Sequence, residues 1–506
     1  MQVLKQSQAG EYSLTFRQNE NQYELVLRYQ GAGNHFAVHT DVQLLDSQGR
    51  FLNMQPISPD QFDELAKNIE LFGPTEGMYL TQSGPVTMRV ASPSRKKIDP
   101  KDVRHTKTVQ ESSYTATGEK LNYHWPIFKK LRDTGMGSII RATMTNHQVC
   151  MSHCQYCSTI GRNKKDSVTL QEAKDFVSKL YFDQAEYNRL HYPEYNDLYK
   201  SITGSDIRLR GLILSGGGQP NIWPHFEEFV EWLGQLDLSL GLITNGFPAK
   251  VSDDIYQHFD WVRISVTPEN ASPFYPQGKF NLQRIPQTLK HNPNITLGLS
   301  YVYGPWTEDE ILSRLESAAQ AWGADYVRLL TDCNLSRDIQ LRSHQALAER
   351  LFALGLIKED GTPTGHIFHQ LKYHGTQQEA DDLWDEGQCH LQSFNVFWDT
   401  TGHEDAGYSS CYPCDSVTVL AEEITGEPGS DGQLPERKFN SDKWGTVKNT
   451  QVQKLFTEPV KQFFDPRKQC SACLFVRNNQ TAKTLAKTQD YNLVQIDNRI
   501  RHINFP

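Results

Sequence analysis

The sequence predicts an α/β protein built on a partial (β/α)6, TIM-like barrel or the equivalent open sheet. A β-rich domain precedes this core and a small cysteine-bearing domain follows it. Three observations predict this. From about residue 138 to 330, near-continuous apolar runs alternate with amphipathic segments at helical spacing, as parallel strands covered by helices do. Residues 1–95 instead alternate apolar and polar positions between polar turns. Beyond residue 386, cysteines become frequent again.

Composition narrows the class. A chain of 506 residues is too long for one ordinary core, so two or three domains are expected. Hydrophobic content of 38% with 11% aromatics suffices for packed domains. A net charge of −9 argues against a general polyanion binder, so nucleic acid is not the expected partner. No stretch approaches 18 uninterrupted apolar residues, and the first residues carry no apolar signal region. No membrane span is therefore expected. Nine cysteines in two tight groups, without an export signal, read as metal-binding thiols in a reducing cytoplasm.

In chain order, EYSLTFRQ, NQYELVLRYQ, HFAVHTDVQLL and VTMRVAS are the strands of the first domain (1–95), with a turn at Gln30–Asn34 and a helix from Pro59 to Leu71. A polar linker spans 96–124, its Arg95-Lys96-Lys97 edge reading as a solvated face. WPIFKKLRDTGMG (125–137) is a helix stopped by glycine. The core, 125–335, offers six strands: SIIRATMT, LRGLILSG, LSLGLITN, DWVRISVT, NITLGLSYVY and DYVRLLT. Helices are expected at 170–182, 225–236, 281–291 and 308–323; Pro286 weakens the third. Tyr187, Tyr192, Tyr195 and Tyr199 mark 184–206 as a surface insertion with buried aromatic anchors. A helical connection, 336–385, follows. Near it, Cys333 reads as a small hydrophobe, and His366, His369 and His374 match no ligand spacing.

The chemistry concentrates in C-M-S-H-C-Q-Y-C, Cys150 to Cys157, directly after the first core strand. A loop this short can bring three sulfurs onto three corners of one cubane. A [4Fe-4S] cube normally takes four thiolates, so three leave one iron open to a ligand. Zinc completed by His147 or His153, or a disulfide with a spare thiol, are the alternatives at this point. The second core strand ends in Ser215-Gly216-Gly217-Gly218-Gln219-Pro220, where glycines let backbone approach a ligand closely.

These two features, one β/α unit apart, resemble the cluster loop and “GGEP” turn of the radical S-adenosylmethionine (radical SAM) enzymes, and the resemblance covers roughly 125–330. It implies that Cys150, Cys154 and Cys157 hold a [4Fe-4S] cluster whose open iron binds S-adenosylmethionine, and that reductive cleavage there gives a 5′-deoxyadenosyl radical. The cofactor then carries the hard chemistry, and the protein positions and shields it. The resemblance further implies cofactor contacts from Gly216, Gly217 and Gly218, and from Tyr156 beside adenine. It also implies contacts from Asn245 in a “TNG”-like Thr244-Asn245-Gly246, and from Ser265, with Ser300 of the same kind. Gln219 departs from the pattern, standing where the family usually has Glu. It keeps a carbonyl acceptor but loses the charge.

Cys389, Cys411, Cys414, Cys470 and Cys473, with FNVFWDTTGHEDAGYSS as a hairpin, resemble the auxiliary-cluster module called SPASM, or its shorter twitch form (386–506). The resemblance implies one auxiliary [4Fe-4S] cluster on Cys389, Cys411, Cys470 and Cys473, with Cys414 able to replace Cys411. Four-thiolate zinc is the competing reading. Together the expectation is a radical SAM enzyme that abstracts a hydrogen from a peptide or small-molecule substrate. Its electron would come from a reduced flavodoxin- or ferredoxin-like donor. An RNA-modifying radical SAM enzyme and a zinc-stabilised, non-catalytic binding protein on a barrel scaffold are the alternatives.

Overall fold

The structure is a computed structural model. It describes the strands within residues 3–91 and most of 114–506. Residues 333–336, 371–387, 416–421, 426–435, 440–446, 461–465, 467–472 and several shorter runs stand outside the described residues. The chain divides into two compact units, Met1–Asp99 and Pro100–Pro506.

The first unit is a single antiparallel sheet of eight strands: β1 (Val3–Lys5), β2 (Gly10–Gln18), β3 (Asn21–Ala32), β4 (His35–Val38), β5 (Gln43–Leu45), β6 (Phe51–Leu52), β7 (Gly77–Thr81) and β8 (Gly84–Ala91). Their order is β1-β4-β3-β2-β8-β7, with β5 beside β3 and β6 beside β5. The expected turn at 30–34 is tighter than that, because β3 stays paired as far as Ala32, opposite His35. The helix expected at 59–71 and the linker's basic run fall outside the described residues.

In the second unit all six expected strands form and pair in parallel, in chain order. They are β9 (Arg141–Thr145), β10 (Gly211–Ser215), β11 (Ser239–Thr244), β12 (Trp261–Val266), β13 (Thr296–Tyr303) and β14 (Tyr326–Thr331). Two more parallel strands extend the row at its ends. One is β15 (Ile367–Gln370), from a stretch that reads as helix in sequence; it pairs with β14. The other, β16 (Asn395–Asp399), lies beside β9, so the region after residue 386 adds to the core sheet itself. The expected hairpin is present, with β17 (Ser410–Tyr412) antiparallel to β16 and a short helical turn at His403–Ala406 between them.

A flat sheet cannot bring its first and eighth parallel strands to one void. Here a single chamber of about 290 Å³ is lined by side chains from all eight, from Phe397 on β16 to Gln370 on β15. The sheet is therefore curled into a barrel. Alternate residues divide the labour. Ala142, Met144, Leu212, Leu214, Leu240, Leu242, Val262 and Ile264 face outward into the main apolar core, with Phe176, Phe229, Leu233, Leu312 and Leu315 from the covering helices. Thr143, Ile213, Ile243, Arg263 and Arg328 face the chamber.

The helices follow from local signals. The helix α1 (Trp125–Thr134) has Pro126 in its first turn and stops at Gly135, whose φ of 75° only glycine adopts freely. A capping box between Thr169 and Glu172 starts α2 (Leu170–Ser178), which runs through a π-turn into α3 (Gln184–His191). Next, α4 (Pro193–Thr203) packs Tyr195 and Tyr199 against α1, in the apolar cluster that also holds Trp125 and Phe128. Pro286 falls in the first turn of Arg284–Leu289, where its missing N–H costs nothing.

Candidate functional site: a cysteine loop at the mouth of the barrel

The loop leaving β9 is fastened to the end of β10 by backbone. Gly218 N donates to His147 O (3.2 Å) and Gln219 N to Val149 O (2.7 Å). His147 Nε2 lies 2.7 Å from Gln219 O, which makes it the donating nitrogen; desolvation lowers the pKa of the buried ring. A side chain at Gly218 would run into the carbonyl oxygens of both His147 and Val149, and one at Gly217 into the Gln148 amide. Gly216 has φ 153° and lies against the Thr145 side chain. These glycines are needed because one loop lies directly on the other. Gln148 adds a third attachment: its Nε2 donates to Asp399 Oδ1 (2.9 Å) and Thr400 Oγ1 (3.0 Å) at the end of β16.

Cys150, Cys154 and Cys157 are half-buried thiols outside any disulfide. Cys157 N bonds to Cys154 O (3.0 Å), turning the chain between them. Donors surround the sulfurs. Cys150 Sγ faces Ser152 N at 3.5 Å and Asn245 Nδ2 at 3.8 Å, and Cys157 Sγ lies 3.5 Å from Thr159 Oγ1. Among the described residues, no three or more His, Cys, Asp or Glu side chains are grouped as a single metal ion would need.

Gln219 is buried and its amide is fully used within the protein. Its Nε2 donates to Thr244 Oγ1 and Asn221 Oδ1, and its Oε1 accepts from Asn245 N (2.8 Å). A glutamate could accept from Asn245 but could not donate to Asn221, which gives the departure from Glu a local reason. Asn245 in turn reaches Ser152 Oγ (3.2 Å). Asn270, which sequence reasoning missed, ties the ends of β11 and β12 through Asn245 O (2.9 Å) and Ser265 O (3.0 Å). Ser265 sits opposite Ser300 in the β12–β13 register. Tyr156 stacks on Trp306 with centroids 5.1 Å apart, and burial beside Cys154 and the tyrosines raises its pKa well above the usual value.

The later cysteines separate into two places. Cys389, Cys414 and Cys473 lie in or against one apolar cluster with Leu391, Phe394, Tyr412 and Phe475. Burial pushes the Cys389 and Cys473 thiols up to about 12, each raised further by a neighbouring cysteine of this set. Cys411 points the other way from β17, into the main core with Trp398 and Val447. Cys333, His374 and Cys470 lie outside the described residues. His366 is engaged by Glu316 at 2.7 Å, and His369 lies against His344.

No family model matches the sequence, and no curated protein matches it. Among solved structures, Streptococcus suis SuiB bound to precursor peptide SuiA is 11% identical over 91% of this chain and 96% of that one, with a TM-score of 0.40. BtrN in complex with AdoMet and 2-DOIA is 9% identical over 69% and 91%, with a TM-score of 0.25. TYW1 with a lysine-pyruvate adduct is 13% identical over 40% and 70%, with a TM-score of 0.28. At these scores neither fold nor activity carries over to this chain. No helix among the described residues is long and apolar enough to cross a membrane.

Proposed function

We propose that this chain is a radical SAM enzyme. Cys150, Cys154 and Cys157 would hold a [4Fe-4S] cluster, and a peptide or small molecule would react in the barrel below it. The observation that carries the reading is the pairing of the three-thiol loop with the glycine turn at adjacent strand ends, locked by Gly218 N to His147 O and Gln219 N to Val149 O. Strand ends of a parallel barrel are where such folds keep their chemistry. The donor set fits the cluster: three thiols on one loop and outside any disulfide, with an amide, a carboxamide and a hydroxyl at the sulfurs, suit thiolate ligands that need their charge spread.

When bound, a three-thiolate cluster with S-adenosylmethionine supplies one-electron cleavage of the sulfonium. The chain's own contribution is placement. Gly216, Gly217 and Gly218 seat the cysteine loop against the end of β10, and Asn245 orients Cys150. Tyr156 and Trp306 form an apolar wall against water at the rim. For an auxiliary [4Fe-4S] cluster we favour Cys389, Cys414 and Cys473, with Cys470 as the fourth ligand, because Cys411 faces the opposite core.

The test is anaerobic reconstitution with iron and sulfide, followed by dithionite and S-adenosylmethionine. Release of 5′-deoxyadenosine is expected. A fully iron-loaded protein that releases none would end this reading.

A further inference from the structure

The lining of the barrel chamber holds more guanidinium groups than carboxylates. Arg141 on β9, Arg263 on β12, Arg328 on β14 and Lys120 line it, and Asp415 is the carboxylate among the lining residues. Guanidinium groups do not shed their charge inside proteins, so Arg141 and Arg263 keep theirs at the chamber wall. Arg141 is 4% exposed and its Nε has no hydrogen-bond partner; the buried Nε of Arg263 has none either. Arg141 also feels Arg263 as a like charge, relieved in part by Asp415. Burying a cation without its counter-ion costs several kcal/mol by general estimates, so such an interior is stable at lower cost with an anion inside it.

Position makes the charge functional. Arg141 is the first residue of β9 and Thr145 the last. At about 3.3 Å per residue, the Arg141 end lies roughly 13 Å below the strand end from which the cysteine loop departs. Arg263 and Arg328 are each the third residue of their strands. At the chamber's upper rim are Gly216 and Thr159, whose hydroxyl lies 3.5 Å from Cys157 Sγ.

We infer that the chamber binds an oxyanion group of the substrate, a carboxylate or phosphoryl, on Arg141, Arg263 and Arg328, and thereby holds the rest of that molecule up toward the cysteine loop. This rests on the radical SAM reading for the word substrate, but not for the anion site itself. A planar fork of N–H donors matches two oxygens of such a group at once.

Calorimetric titration of the full chain at low ionic strength tests it, with succinate, inorganic phosphate and the dication putrescine as probes. At least one anion should bind saturably, and the stronger of the two distinguishes a carboxylate from a phosphoryl site. Putrescine should not bind. Arg263→Gln and Arg328→Gln should each weaken the anion at least about tenfold, as loss of a charge-assisted pair does. Arg263→Lys, which keeps the charge and guards against a folding defect, should fall between. Saturable binding by neither anion, equal binding of putrescine, or unchanged binding in the variants would each overturn the inference. So would displacement of the anion by S-adenosylmethionine, since the arginines would then serve the cofactor. The titration needs neither iron nor turnover, so failure to release 5′-deoxyadenosine leaves its outcome legible.

Discussion

The two cysteine regions differ in what surrounds the sulfur. Cys150, Cys154 and Cys157 sit half-buried among amide and hydroxyl donors at the rim of a hollow barrel. Cys389 and Cys473 lie in or against a cluster of aromatic and aliphatic side chains, and burial raises the pKa of both thiols. The first setting leaves room for a ligand that comes and goes. The second sets its sulfurs against apolar side chains. A donor-lined site suits reaction, and an apolar one suits structure or electron passage.

That contrast breaks most visibly by deleting one thiol from each side. Cys154→Ala should lower 5′-deoxyadenosine release by at least about a thousandfold, the scale expected when an essential group is removed. Cys473→Ala should lose iron yet keep release within about tenfold, because a site away from the barrel mouth acts at a distance. Equal losses in the two would abolish the distinction. Next in size is Gly218→Ala. Its new methyl meets two backbone carbonyls, and we expect a cost of about 3 kcal/mol in urea unfolding together with failure to load iron at the first loop only.

A smaller effect sharpens the boundary of the apolar site. Cys411→Ala should cost about 1–2 kcal/mol as a lost core side chain while iron content stays unchanged. Cys414→Ala should lower iron content. The reverse pattern would move the site to the other face of β17.

The smallest effect is a pH dependence from two buried histidines, His124 beside the second apolar cluster and His502 at the chamber wall. His124 bonds to Tyr199 Oη (2.7 Å) and Ile503 O (3.1 Å), and burial lowers its pKa to about 4. His502 lies 2.8 Å from Thr296 Oγ1, and burial near Lys120 and Arg501 lowers its pKa to about 3. Below the ordinary histidine value of about 6.5, the unfolded chain takes up protons that the folded chain refuses, so stability falls as pH falls through that window. The urea midpoint should drop between pH 7 and pH 5. His502→Gln should remove part of that drop without altering 5′-deoxyadenosine release.

Much of this was legible in the sequence, and the rest was hidden for physical reasons. The six central strands announced themselves as apolar runs because one face of each packs on helices. Single arginines in those runs, in RATMT, WVRISV and YVRLLT, are the trace of a polar interior, and only the barrel places them around one chamber. β15 escaped because four residues, preceded by His366 and containing His369, carry no strand periodicity. β16 was legible as a hairpin arm, but its parallel partner lies some 250 residues earlier, and local pattern says nothing about such pairings. Gln148 and Asn270 are ordinary amides in sequence. Only the convergence of strand ends gives them their roles.

The place of β16 bears on how the molecule is made. As the ribosome delivers the chain, β9 emerges early and gains β10 within the next 70 residues, yet its opposite flank stays bare until residue 395 has been synthesised. Throughout that interval it is an uncovered sheet edge, prone to recruit foreign strands. A gene trimmed to end at residue 385 would make that exposure permanent, so the barrel and its C-terminal segment are inherited as a single piece.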